Sequence, residues 1–221
     1  MTKPSQETLM ACQTMCSLGS TILYEDPRSE QLRALAQASD LLREPPFATL
    51  ADGAAVRMAD ALDAASVDEA AFDAFYHELR QDYAFLFYMV SVSKASPFES
   101  VYRTDDSTMF GPTTLEVRAL YERFGLKLAT DESQPCDHLG VELAFLAELF
   151  RRALEDDAQA ETCLAAAHAF MHEHVLVFCE TYLQQVADVA RTTFYADAAR
   201  LIEASIAEVA AVLDAYCHDA Q

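Results

Sequence analysis

The stretch "QPCDHLGVELAFLAELF", residues 134–150, predicts an amphipathic helix that opens with ionisable residues. Pro135 suits a first helical position, because its missing N–H has no intrahelical partner there. Asp137 would then lie in the first turn, where its negative charge meets the positive end of the helix dipole. An apolar stripe follows at helical spacing, formed by Leu139, Leu143, Leu146 and Phe150. The segment therefore predicts a helix that packs one side into a hydrophobic core.

A neighbouring stripe of the same helix begins with His138 and Glu142 and continues with Phe145 and Leu149. One helical turn separates His138 from Glu142, so their side chains are close enough to interact. Two interpretations stay open. In one, Asp137 stabilises the helix start and His138 pairs with Glu142; in the other, these residues serve a binding function.

Period-3.6 patterns of apolar residues run through the whole chain and predict an all-α fold. The 221 residues include only 5 glycines and are rich in alanine, a composition that favours helices over sheets. The predicted helices are Ser5–Glu25, Ser29–Glu44 with Ser29 as a cap, Phe47–Ala64, Val67–Val90, Thr113–Phe124, the helix from Pro135, Ala158–His174, Val175–Thr193 and Tyr195–Cys217.

A single globular multi-helix domain is expected over residues 1–221, with a long irregular mid-chain loop at Ser93–Pro112. The loop would separate an N-terminal subdomain, 1–94, from a C-terminal subdomain, 113–221. A loop of this length in a compact helical protein is usually functional or a linker.

The chain carries a formal net charge of -21, from 36 acidic and 15 basic residues. Such a chain repels phosphate backbones, which argues against nucleic acid and favours a cationic partner. The most apolar run, Tyr83–Val92, is about half of the roughly 20 residues that a spanning helix needs. No apolar h-region precedes "LMAC" at Leu9–Cys12, so neither a signal peptide nor a membrane span is predicted. We expect a cytoplasmic protein.

Motifs for catalysis and for cofactor binding are sparse. No phosphate-binding glycine loop, G-x-S-x-G elbow or H-E-x-x-H pair occurs in the sequence. His168 and His172, with His174 nearby, are the best candidates for metal ligands, but the sequence shows no convincing third ligand. Cys12 and Cys16 share a helix face and Cys136 lies near His138, without a supporting signature in either case. The sequence therefore predicts no metal, no cofactor and no enzyme.

Five motifs in order resemble the TorD/DmsD family of chaperones for exported molybdenum oxidoreductases. The strongest is "PCDHLGVELAF" at Pro135–Phe145, which is similar to the family's P-x-D-H motif followed by a glutamate. The others are "YAFLF" at Tyr83–Phe87, "SPFESVY" at Ser96–Tyr102, "FMHEHV" at Phe170–Val175 and "FYADAARL" at Phe194–Leu201. The chain departs from the family in having Tyr88-Met89-Val90 where glycine is common, and Phe178 where tryptophan is common.

The resemblance implies a chaperone that binds the twin-arginine signal peptide and the immature form of a molybdopterin oxidoreductase, assisting cofactor insertion and delaying export. It also places Asp137, His138 and Glu142, with the loop residues Pro97, Phe98, Glu99, Ser100 and Tyr102, in the peptide-binding region. Carboxylates of Asp137 and Glu142 beside an apolar groove at Phe145 and Leu149 would suit a cationic, helix-prone leader.

Three alternatives stay open. The chain could assemble a nitrate-reductase-type subunit that is not exported, or be a metal- or nucleotide-binding helical enzyme that uses His168, His172 and cysteines. The third concerns assembly: some family members form domain-swapped dimers, so both a monomer and a swapped dimer are compatible with the sequence. Tyr83 and Phe87 are expected in the core.

Overall fold

A computed structural model describes residues 3–90, 94–103, 111–127 and 135–218. Within these ranges the protein is helical and contains no strand, which confirms the all-α prediction. The α-helices are α1 (Gln6–Tyr24), α2 (Ser29–Gln37), α3 (Ala54–Ala65), α4 (Glu69–Tyr83), α5 (Glu99–Arg103), α6 (Pro112–Arg123), α7 (Leu139–Glu155), α8 (Asp157–Phe170), α9 (Leu176–Val189) and α10 (Thr193–His218).

Two of the predicted helices are broken by short 3-10 turns. The expected helix Ser29–Glu44 ends as an α-helix at Gln37 and continues as a 3-10 turn, Ser39–Arg43. Arg28, rather than Ser29, is its N-cap residue. The expected helix Phe47–Ala64 is α-helical only from Ala54, because Ala51, Asp52 and Gly53 have positive φ angles that an α-helix excludes.

Two helices end in π-helical turns, Ala84–Tyr88 after α4 and Met171–Val175 after α8. The start of α4 is capped by Asp68, whose side chain accepts a hydrogen bond of 2.8 Å from the Ala71 amide. A short helix, α5, occupies part of the stretch that the sequence predicted to be a loop. The central part of that predicted loop, residues 104–110, lies outside the described residues.

The chain divides into two compact units, each built from segments that are distant in sequence. The first comprises Met1–Tyr24, Ser96–Glu180 and Glu208–Gln221, and the second comprises Glu25–Ala95 and Thr181–Ala207. The sequence-based subdomains 1–94 and 113–221 stay a prediction.

In the first unit, α1 packs along α7, and α7 packs on α8. The apolar stripe predicted for α7 is fully buried, since Leu139, Leu143, Leu146 and Phe150 are each at most 1% exposed. Burial of such side chains stabilises each by about 1.5–3 kcal/mol relative to exposure.

The second unit encloses Tyr83 and Phe87, which are buried as expected. Its buried carboxylate, Asp82, is only 1% exposed and accepts hydrogen bonds from the Arg191 and Thr192 amides and from the Thr192 hydroxyl at 2.7–3.1 Å. A buried carboxylate needs such donors, because a desolvated charge without partners is strongly unfavourable. Asp82 thereby joins α4 to the turn that precedes α10.

One described stretch, Asp157–Val189, is long and apolar enough by length and composition to cross a membrane. Half of its most apolar window is buried inside the protein, as in a core helix, and a single such stretch is weak evidence for a span. The most apolar run in the sequence analysis, Tyr83–Val92, is a different segment.

Candidate functional site

The two segments predicted to bind a ligand lie side by side in the first unit. The Leu139 amide donates a 2.8 Å hydrogen bond to the Pro97 carbonyl, and the Glu99 amide donates a 2.9 Å bond to the Asp137 carbonyl. Phe98 and His138 form an isolated antiparallel bridge between these bonds. The backbone thus brings the predicted site residues of both motifs together.

Asp137 is completely buried and holds the two segments through its side chain. Its Oδ2 accepts a 2.8 Å hydrogen bond from the Ser100 amide in α5, and its Oδ1 accepts a 3.0 Å bond from the Thr114 hydroxyl in α6. The expected first-turn position is therefore wrong: α7 begins at Leu139, and Asp137 caps a different helix. The two donors are 37 and 23 residues away from Asp137 in the sequence. The local sequence around Asp137 therefore could not predict these hydrogen bonds.

His138 is the N-cap residue of α7. Its Nδ1 accepts a 3.0 Å hydrogen bond from the Gly140 amide, one of the donors that a helix start leaves free. Burial lowers the pKa of His138 to about 3, so the ring is neutral at physiological pH. The alternative in which His138 pairs with Glu142 is wrong, because neither carboxyl oxygen of Glu142 has a hydrogen-bond partner among the described residues.

The imidazole of His138 lies between two aromatic rings. Tyr24 and Phe98 each contact it edge-on, with ring centroids 5.1 Å and 5.3 Å away. Tyr24 is 38% exposed and Phe98 is partly exposed, so these three rings, the aromatic cluster, reach the protein surface. Gly140 permits this arrangement, since a Cβ there would come within 2.8 Å of the Tyr24 Cβ.

Behind the aromatic cluster, Glu99 and Glu142 form a pair of fully buried carboxyl groups. Burial raises the pKa of Glu142 well above 4.5, and the charges of Glu99 and Asp137 raise it further. Neither carboxyl oxygen of Glu142 has a hydrogen-bond partner with good geometry among the described residues. Both effects favour the protonated, uncharged form of the Glu142 carboxyl.

Glu99 keeps its charge partners within the first unit. Its Oε2 lies 3.0 Å from Nδ1 of the buried His174, and its Oε1 lies 2.6 Å from Nε of Arg103. The Arg103 side chain is 32% exposed and also donates to the Glu173 carbonyl. Glu99 therefore anchors α5 to the π-helical turn after α8.

The remaining loop residues also face inward. Pro97 and Ser100 are buried, and the Tyr102 hydroxyl donates a 2.9 Å hydrogen bond to the Ser96 carbonyl. The Tyr102 ring packs with its centroid 5.4 Å from that of Phe178. These contacts explain how a five-residue helix keeps a defined position.

Phe145 and Leu149, which were expected to line a groove, are buried together with Glu142. Phe145 instead closes one side of a surface cavity of about 290 Å³, lined by Tyr121, Leu126, Lys127, Val141, Ala144, Phe145 and Glu148. Glu148 is ion-paired with Arg151 and Arg152, which lower its pKa to about 2. The cavity is thus mostly apolar with a charged edge.

The thiols considered in the sequence analysis are buried. Burial raises the pKa of Cys12 to about 12 and that of Cys16 further still, so both remain protonated thiols. The Cys136 thiol donates to the Thr114 carbonyl at 3.0 Å, and its pKa is also raised by burial. A buried thiol of high pKa is a poor nucleophile, and His138 accepts from Gly140 rather than serving Cys136 as a base.

Thr114, Tyr24 and Arg103 complete the site and were missed by sequence reasoning. Arg103 directly follows the Ser96–Tyr102 motif and is four residues after Glu99. Its ion pair with Glu99 could therefore have been predicted from the i,i+4 spacing. Thr114 and Tyr24 reach the site only through the packing of α6 and α1, and no local pattern marks them.

Comparison with known proteins identifies the family. The profile of the family described as nitrate reductase delta subunit matches residues 44–184, which include every predicted site residue. "Chaperone protein TorD" of Vibrio vulnificus (strain YJ016) is 30% identical over 129 residues, covering 58% of this chain and 60% of that protein. The protein of the same name from Vibrio cholerae serotype O1 (strain ATCC 39315 / El Tor Inaba N16961) is 31% identical over 144 residues, covering 64% and 63%.

These alignments span about 60% of the length of the curated relatives. The motif-based resemblance to TorD-type chaperones is confirmed by them. The chain belongs to the nitrate reductase delta subunit family.

Proposed function

We propose that this protein is a cytoplasmic maturation chaperone that binds the twin-arginine leader and the immature form of a molybdopterin oxidoreductase. The observation that carries the proposal is the alignment with proteins named chaperone TorD, together with the family match over residues 44–184. In its simplest form the chaperone holds the client's leader until the client's molybdopterin cofactor is inserted, and catalyses no reaction itself.

The peptide-binding surface that we propose is the aromatic cluster and the adjoining part of α5. Tyr24, Phe98 and His138 supply apolar ring faces and edges that suit the apolar segment of a leader. Asp137, Glu99, Glu142 and Ser100 lie underneath and act as positioning residues. Pro97 and Tyr102 hold the backbone that carries Phe98.

The arginines of the leader require a negative counterpart, which the buried carboxyls do not offer directly. The formal net charge of -21 supports attraction of a cationic segment at long range. Because this attraction acts mainly on the encounter, we expect it to raise the association rate more than the lifetime of the complex.

Calorimetric titration of a synthetic twin-arginine leader peptide into the purified protein tests this function. We expect the wild-type protein to bind the peptide. Phe98→Ala should weaken the affinity about tenfold or more, which corresponds to a loss of roughly 1.4 kcal/mol of binding free energy. Leu115→Ala is the matched control, since Leu115 is a large apolar residue of the same unit that is 66% exposed. Absence of leader binding, or equal losses in both variants, would refute the proposed surface.

A second candidate is favoured by the family description itself, which names a nitrate reductase subunit. The protein would then assemble a catalytic subunit that carries no twin-arginine leader. Co-purification with a leaderless molybdoenzyme subunit, combined with no affinity for the leader peptide, would select this candidate over the first.

A further inference from the structure

His168, His172 and Asp214 bring three metal-binding atoms together in the first unit. The Nε2 atoms of His168 and His172 lie 3.0 Å and 2.7 Å from the same oxygen, Oδ1 of Asp214. All three atoms are within 4.8 Å of one another. The residue that was missing from the sequence pattern is supplied by α10, 42 and 46 positions further along the chain.

From this geometry we propose that His168, His172 and Asp214 form a binding site for a divalent transition metal ion, with zinc as the best match. Two imidazoles and one carboxylate are ligands that Zn²⁺ accepts at about 2.0–2.2 Å, which places neighbouring ligand atoms of a tetrahedral centre about 3.4 Å apart. The present distances of 3.0 Å and 2.7 Å from the two Nε2 atoms to Asp214 Oδ1 are within about 1 Å of that spacing.

The local structure favours such a conversion. His168 is in the last turn of α8 and His172 is in the π-helical turn that follows, with ring centroids 4.6 Å apart. The three side chains are 31%, 41% and 40% exposed, so an ion has access from solvent without local unfolding. Solvent exposure also leaves room for a water molecule as the fourth ligand.

Metal binding would link α8 and its π-helical turn to α10 within the first unit. The site is separate from the aromatic cluster: among the described residues, the three ligands hydrogen-bond and stack with one another and not with His138 or Phe98. His168 and His172 lie within the family-matched residues, whereas Asp214 lies beyond them. The inference is therefore independent of the proposed chaperone function.

Titration of zinc chloride into tag-free, chelator-treated protein tests the site by calorimetry, with Co²⁺ absorption as a report on coordination geometry. We expect one equivalent to bind, a tetrahedral Co²⁺ spectrum and a raised melting temperature. Asp214→Asn and His172→Gln should each weaken affinity by more than about 100-fold, since changing even an outer partner of a ligand commonly costs 10–100-fold.

His77→Gln is the matched control, because His77 is an exposed helical histidine in the second unit. Cys217→Ser is a second control, since Cys217 lies one turn from Asp214 on α10. Circular dichroism verifies that each variant is folded. Absence of stoichiometric binding by wild type, undiminished binding by folded Asp214→Asn, or a loss in either control would overturn the assignment.

Discussion

Replacing Asp137 with alanine should destabilise the protein far more than the loss of a charge–helix-dipole interaction alone would. The dipole interaction expected from the sequence is worth about 0.3–1 kcal/mol. In the structure, the completely buried Asp137 carboxylate accepts two hydrogen bonds, one from the Ser100 amide and one from the Thr114 hydroxyl. Each hydrogen bond to a charged group contributes about 1.5–3 kcal/mol, and removal also leaves the Ser100 amide and the Thr114 hydroxyl without their acceptor. We therefore expect Asp137→Ala to cost about 3–5 kcal/mol.

Urea denaturation followed by circular dichroism measures this cost. Asp137→Asn, which keeps one carbonyl oxygen, should lose about half as much, and a double-mutant cycle with Thr114→Val should give a coupling of about 1–2 kcal/mol. Asp157→Ala is the control, because that carboxylate is 91% exposed and forms a surface ion pair with Lys3. A cost below about 1 kcal/mol for Asp137→Ala, with no coupling to Thr114, would refute the capping role.

Three further predictions concern charge and packing. Glu142→Gln should become stabilising relative to wild type as pH rises above about 5 in urea denaturation. The raised pKa of Glu142 makes wild-type stability fall, by up to about 1.4 kcal/mol per pH unit, until the pH passes that pKa; parallel pH profiles would contradict this. Affinity for the twin-arginine peptide should decrease with ionic strength through slower association, and salt-independent kinetics would exclude electrostatic attraction. Gly140→Ala should cost about 1–3 kcal/mol because the new Cβ meets Tyr24, and an unchanged melting temperature would show that this contact relaxes freely.

Helical periodicity identified most of the fold, because a helix that buries one face repeats apolar residues along the chain. The apolar stripe of α7 is one example, and the predicted helix Thr113–Phe124 is within one residue of α6 at each end. Periodicity did not reveal where helices break. The breaks before α3 and after α2 depend on individual backbone angles, and the start of α7 depends on Pro97 and Ser100, which belong to another segment.

The chemical state of the site residues was harder to predict than their proximity. The motifs grouped Glu99, Asp137, His138 and Glu142 correctly in one region, but their charges suggested an exposed rim. Their burial follows from the packing of α1, α5 and α6 over the start of α7, which is a tertiary effect. The proposed metal ligands show the same limit, because His168 and His172 are one helical turn apart in the sequence whereas Asp214 joins them only when α10 is in place.

The buried carboxylate of Asp82 has a consequence for synthesis on the ribosome. Its donors, Arg191 and Thr192, are separated from it by about 110 residues. At roughly 5–20 residues per second, those donors are made about 5–20 s after Asp82. During that interval the nascent segment Glu25–Ala95 lacks the Thr181–Ala207 part of its compact unit, so the core of the unit is incomplete. Vectorial, N-terminal-first folding therefore does not complete this unit: Glu25–Ala95 lacks part of its packing partner until Thr181–Ala207 has been made.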